Sequence, residues 1–200
     1  MKDKFLNYSI NIISDYKNLS SSEINRIKYG LEGIYLSLFK SIIILLLSYL
    51  LGILKEVFLN LIIFNLLRFF GFGFHASNSS QCLIISLLLF VLLPYTLLRI
   101  NLSSIVIIII CICSIISFIL FAPADTPKRP LPNKRKRIIR KLLTVVIGII
   151  YSILIFILKE YYFSRIFLCS LIIESILINP FTYMIFKQKY NNYKYYSKSV

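Results

Sequence analysis

His75 is the only histidine in this chain, and Cys82 follows it by seven residues. A thiol beside an imidazole can act as a nucleophile with its own general base. The ring takes the thiol proton, and the thiolate attacks a carbonyl carbon. The stretch reads Arg68-Phe69-Phe70-Gly71-Phe72-Gly73-Phe74-His75-Ala76-Ser77-Asn78-Ser79-Ser80-Gln81-Cys82. On one unbroken helix, positions seven apart share a face but lie ~10.5 Å apart, too far for a hydrogen bond. The helix must therefore break if the pair is to meet, and Ser77-Asn78-Ser79-Ser80 suits a break. Asn78 as N-cap with Gln81 three residues later resembles a capping box. Cys82 then falls in the first turn of the next helix, at the positive end of its dipole, where a thiolate is favoured. Gly71 and Gly73 leave room for close approach of an extended substrate backbone. Arg68 is placed to hold an acidic group or to stabilise the reaction. The Cys82 N–H or Gln81 is placed to donate to an oxyanion. The plainer reading is an interface histidine and a core-filling cysteine. Polar groups in a hydrocarbon setting favour chemistry.

The elements that must position the pair are apolar helices. The chain is 58% hydrophobic, with a mean hydropathy of +0.80. Several apolar runs approach the ~20 residues that span a bilayer as a helix. A β-barrel would alternate, and Ile105 to Ile110 does not. The fold class is an all-α integral membrane protein of about six transmembrane helices, one membrane domain over residues 1–200. Residues 1–29 read as an amphipathic region on the cytoplasmic surface. They are too polar for a cleavable signal peptide. Ser20, Ser21 or Ser22 can cap a helix with Glu23 in its first turn. The spans fall at about 34–54, 57–67, 83–98, 102–121, 142–158 and 161–178. Lys40 snorkels near the start of the first. The second is short and extends through the Phe/Gly run, broken near the candidate site. Pro94 predicts a kink in the third. Residues 122–141 form a basic cytoplasmic loop, and residues 179–200 a basic, tyrosine-rich tail suited to the interface.

The net charge is +15. In a soluble chain this would suggest nucleic acid. Here it reads as topology, with no nucleic-acid partner. With both termini cytoplasmic, 19 of the 23 Lys+Arg fall inside and only Lys55, Arg99, Lys159 and Arg165 fall outside. That places His75 and Cys82 on the cytoplasmic face of a multi-pass protein. Glu56 and Glu160 then lie at the external interface. Cys111, Cys113 and Cys169 sit inside apolar runs and read as small hydrophobes. One histidine makes a zinc site of the usual kinds unfavourable, so no metal and no cofactor are expected.

A second polar constellation runs Ala122-Pro123-Ala124-Asp125-Thr126-Pro127-Lys128-Arg129-Pro130-Leu131-Pro132-Asn133-Lys134-Arg135-Lys136-Arg137. Four prolines forbid a regular helix across its first half. Eight basic residues and no acid lie between Lys128 and Lys141. They can anchor topology against anionic lipid, at ~1 kcal/mol per residue. Lys134, Arg135, Lys136 and Arg137 can instead clamp an acidic peptide. Asp125 can orient His75, pair with Arg68 or cap the loop. Glu174 inside the sixth span calls for a polar partner or a cavity.

Together the two constellations resemble the accessory gene regulator B (AgrB) family of bacterial quorum sensing. Arg68, Gly71, Gly73, Phe74, His75, Ala76 and Cys82 carry the resemblance, with Ala122 to Pro127 and the basic loop. It covers most of the chain. One departure is Phe72, where the family commonly has glycine. The resemblance implies a cysteine endopeptidase of the bacterial cell membrane acting on an AgrD-like precursor peptide. That peptide has an amphipathic leader, a central pheromone and an acidic tail. Cys82 would attack at the pheromone's C-terminal boundary with His75 as base, and the tail would leave. A cysteine or serine of the peptide would then attack the thioester, closing a thiolactone or lactone. The resemblance also implies a homodimer. Two other readings stand beside it: a small transporter, motivated by Arg68 and Glu174 within six spans, and a non-catalytic scaffold recruiting partners through the basic loop.

Overall fold

The computed structural model describes residues 2–16, 20–76, 78–126, 130–158 and 161–196. Ser77 of the expected break lies outside these residues. So do Pro127, Lys128 and Arg129 of the basic loop, Glu160, and Lys17, Lys159 and Lys198. The chain divides into two units, 1–46 and 47–200. In the first, α1 (Lys2–Tyr16) precedes α2 (Ser21–Leu50), which continues into the second. Ser20 caps α2 with a reciprocal pair of bonds: Glu23 N–H donates to Ser20 Oγ at 3.4 Å, and Ser20 N–H donates to Glu23 Oε2 at 2.9 Å. This fixes the capping serine among the three candidates. The helix starts at Ser21, ahead of the expected span start at 34, so residues 21–29 are helical and continuous with the span.

The second unit holds α3 (Leu54–Gly71), α4 (Ser79–Leu97), α5 (Ser104–Phe121), α6 (Lys134–Ile157), α7 (Tyr161–Ile178), α8 (Pro180–Ile185) and α9 (Tyr193–Tyr196). Among the described residues five helices are long and apolar enough to cross a membrane: α2, α4, α5, α6 and α7. The sixth long helix, α3, has 18 residues but carries Lys55, Glu56 and Arg68. It ends at Gly71 rather than running on through Phe74. α6 starts at Lys134, two turns before the expected 142, because Asn133 caps it by accepting from Lys136 N–H at 3.2 Å. The basic run is therefore largely helix and not loop. Pro94 gives no break in α4. A π-helical turn over Leu88–Leu92 precedes it, with Leu93 N–H reaching Leu88 O. Widening the helix there removes the clash between the proline ring and the carbonyl four residues back.

Helix α7 is the hub, packing against α3, α5, α6 and the end of α4. Ten of its residues are buried, including Arg165 and Glu174. Lipid-facing helices instead expose their apolar side chains, as Ile105, Leu120, Leu142 and Ile157 do. Polar bonds join the hub to its neighbours where hydrocarbon offers no competing water. Ser170 Oγ donates to Asn60 Oδ1 at 2.7 Å, both fully buried. Tyr151 OH donates to the Ile63 carbonyl at 2.8 Å, tying α6 to α3. Cys111 and Cys169 are buried and act as small core residues. Close packing of α5 on α6 depends on Gly148, where a Cβ would stand 2.7 Å from the ring of the fully buried Phe118. Gly148→Ala is expected to cost about 1–3 kcal/mol through overpacking, read as a lowered thermal unfolding midpoint in detergent.

Candidate functional site

Five helix ends meet at one end of the second unit: the C-termini of α3, α5 and α7 and the N-termini of α4 and α6. The α3 terminus is built around Arg68. Its guanidinium donates to the carbonyls of Phe72, Gly73 and Phe74. These carbonyls lie just past the end of α3, where no helical N–H reaches them, and one side chain takes all three. Arg68 is itself held by Glu174 of α7 at 3.8 Å. The Glu174 carboxylate is completely buried, so it needs a charge partner. Glu174 thus has the polar partner expected of it, and Arg68 faces inward to a carboxylate of its own chain.

The two glycines serve close approach by this chain's own atoms. A side chain at Gly71 would overlap the Glu174 carboxylate. At Gly73, φ is +111, and a Cβ would meet the guanidinium of Arg68 and stand 2.9 Å from the Leu177 carbonyl oxygen. Phe72 also adopts a positive φ of 60, which a residue with a bulky side chain rarely does. The Arg140 guanidinium lies over its ring at 4.5 Å, and Arg140 donates to the Phe69 carbonyl at 2.6 Å.

Beyond Phe72 the chain is stitched to two neighbours. Gly73 N–H donates to Ala124 O at 2.8 Å, and Ala124 N–H to Gly71 O at 2.9 Å, forming a single parallel bridge. Phe74 N–H donates to Leu177 O at 2.7 Å. The Phe74 ring is buried between Phe186 and Tyr183. His75 follows with its side chain exposed and its carbonyl accepting from Gln188 Nε2 at 2.8 Å.

Helix α4 starts at Ser79, so the break between His75 and Cys82 is present. Asn78 occupies the N-cap position with extended backbone but makes no side-chain capping bond, so the expected capping box with Gln81 is not formed. Gln81 is exposed and Cys82 half-exposed. Cys82 N–H donates to Asn78 O at 3.0 Å. It is already used by the helix, which removes it as a candidate oxyanion donor. Earlier N–H groups of the same turn are the ones a helix N-terminus leaves open.

Asp125 takes the last of its three candidate roles. Its fully buried carboxylate accepts from Leu131 N–H at 3.2 Å and Tyr193 N–H at 2.9 Å, and pairs with Arg137 at 3.5 Å. It caps the loop. Arg137 also lies over the Tyr193 ring at 3.6 Å. The basic quartet therefore divides: Arg137 faces inward, while Lys134, Arg135 and Lys136 are exposed. These three crowd the positive end of α6, where cations are unfavourable without an anion. Beside them a cleft of about 460 Å³ is lined by Pro123, Arg137, Lys141, Tyr190 and Tyr193, among others. Among the described residues no three His, Cys, Asp or Glu side chains gather as a metal site.

The sequence reading missed the tail. Tyr183 OH donates to Ala124 O at 3.0 Å, and Tyr190 OH to Phe121 O at 3.2 Å. Burial pushes both phenols up, Tyr190 to about 12, so both stay protonated donors near neutral pH. Alternation of tyrosines with polar residues was the only signal, and it also fits an interfacial belt. Replacing Glu174 by Ala is expected to cost about 3–5 kcal/mol, because the partner charge is left uncompensated. The double change Arg68→Met with Glu174→Leu should recover most of that in the thermal unfolding midpoint. It should still leave the 72–74 backbone open to proteolysis, since methionine cannot bond three carbonyls.

Comparison with known proteins adds an independent line. The family model described as accessory gene regulator B matches residues 6–178. An AgrB-like protein of Clostridium acetobutylicum is 28% identical over 188 residues, covering 94% of this chain and 90% of that protein. Accessory gene regulator protein B of Staphylococcus aureus is 30% identical over 183 residues, covering 89% and 92%. An AgrB-like protein of Listeria monocytogenes is 28% identical over 171 residues, covering 86% and 84%. No solved structure matches the chain.

Proposed function

Because the chain belongs to the accessory gene regulator B family, we propose that it is a membrane cysteine endopeptidase maturing a quorum-sensing peptide. The substrate is a short precursor with an amphipathic leader and an acidic tail. Cys82 is the nucleophile. His75 accepts its proton as the thiolate attacks the carbonyl before the tail. The tetrahedral intermediate collapses, the C–N bond breaks, and the proton on His75 passes to the leaving amine. A thioester to Cys82 remains. A cysteine thiol or serine hydroxyl within the peptide attacks it, gives up its proton and frees the Cys82 thiol. The product is a thiolactone or lactone. Ring closure prevails over hydrolysis when the peptide nucleophile is held near the thioester and water is kept away.

One observation carries this reading. An exposed imidazole and a half-exposed thiol flank a helix break whose approach is pinned by Arg68. Catalytic geometry needs this kind of rigid support. The exposed Lys134, Arg135 and Lys136 are cationic partners for the acidic tail. Charge asymmetry between the loops favours a cell-membrane protein with cytoplasmic termini and a cytoplasmic site. A transport role drew on Arg68 and Glu174 as intramembrane charges, but these pair with each other.

The test is co-expression with a precursor of that design and mass spectrometry of the tail. Cys82→Ala is expected to abolish cleavage. His75→Ala is expected to slow it by roughly 10²–10⁴-fold. Cleavage surviving both changes would reject the assignment.

A further inference from the structure

The family match stops at Ile178, yet the segment after it is bonded throughout to the loops of the site. We propose that this segment is part of the site, and that Gln188 is a positioning residue that sets the backbone carrying His75. The inference rests on the peptidase reading for what His75 does, and on geometry alone for where His75 is held.

The His75 side chain is exposed, and where its ring can reach depends on the backbone that carries it. Three contacts from one stretch of chain act there. Leu177 O takes the Phe74 N–H at 2.7 Å. Phe186 stacks on the Phe74 ring at 4.7 Å between centroids, with Tyr183 edge-on at 5.8 Å. Gln188 Nε2 donates to His75 O at 2.8 Å. Gln188 is itself anchored, its N–H donating to Tyr183 O at 2.8 Å. The far side of the segment is tied down as well, because Asn192 Nδ2 donates to Asp125 O at 3.2 Å and Tyr193 N–H to Asp125 Oδ2. Segment 183–193 therefore bridges the loop before His75 and the loop carrying Asp125. Without Gln188 the His75 carbonyl turns to water, and the imidazole samples positions away from Cys82.

The experiment uses the full chain with Cys113→Ala, which removes the other exposed thiol. Alkylation of Cys82 is followed by peptide-resolved mass spectrometry across pH, beside tail cleavage. Gln188→Ala and Gln188→Glu are each expected to slow Cys82 alkylation and lower kcat about tenfold at neutral pH, as for a displaced base. KM and the unfolding midpoint should stay near wild type. A glutamate regains an O–H donor on protonation, near pH ~4.3 for an unperturbed carboxyl. The deficit of Gln188→Glu relative to wild type should therefore shrink as pH falls towards 5, while that of Gln188→Ala should not. Wild-type alkylation profiles in both variants would overturn the proposal. So would a deficit that tracks the unfolding midpoint. If the unmodified chain cleaves no precursor, the peptidase reading fails separately, and the alkylation profile still decides for or against Gln188.

Discussion

The Glu174 carboxylate is the constraint on which the site end of the molecule depends. It sits inside the hub helix α7 with no exposure. A lone carboxylate there would be too costly to keep ionised. It draws in Arg68, whose fork has more donors than the 3.8 Å pair uses. The same fork donates to the carbonyls of Phe72, Gly73 and Phe74, just past the end of α3. One cation thus meets two deficits at once, a buried negative charge and the unpaired carbonyls of the turn after α3. The same arrangement demands glycine at 71, where a side chain would displace the carboxylate.

A second buried pair repeats this logic one loop away. Asp125 with Arg137 ties Leu131 and Tyr193 to the stretch after α5, as Glu174 with Arg68 organises 72–74. The two are joined through the backbone bridge of Gly71 and Gly73 with Ala124. Each ion pair is costly to form in a dry interior, but each is costlier to break. The loops between membrane helices are consequently fixed by charges packed beneath them. His75 then carries an exposed side chain on a backbone bonded at Phe74 N–H and at its own carbonyl.

Much of the frame was legible in the sequence. Apolar runs marked the helices, and the Phe/Gly and Ser/Asn residues marked the break before Cys82. What was not legible depended on partners distant in sequence. Asp125 had three plausible roles, and the choice was made by Tyr193, 68 residues on. Arg68 looked available to a substrate until α7 brought Glu174 to it. Asn133 was a visible N-cap signal, but the prolines before it and the charges after it read as one long loop. With the helix start at Lys134, helical periodicity sorts the basic run, sending Arg137 and Arg140 inward. Pro94 marked the place of a helix irregularity, and the structure shows its form, a π turn over Leu88–Leu92 just before the ring.

Phe72 shows how local strain and function meet here. The resemblance pointed to glycine at this position, and the structure gives the physical reason: the backbone turns through a positive φ. A phenylalanine there bears a steric cost, commonly of order 1–3 kcal/mol for such conformations. Several contacts over-determine the turn. Arg68 holds its carbonyl, Arg140 covers its ring, and the bridge to Ala124 fixes the strand direction. The turn is thus imposed by the buried charges rather than chosen by the residue at its apex. That explains how the position can depart from glycine while the path of the chain into His75 stays the same.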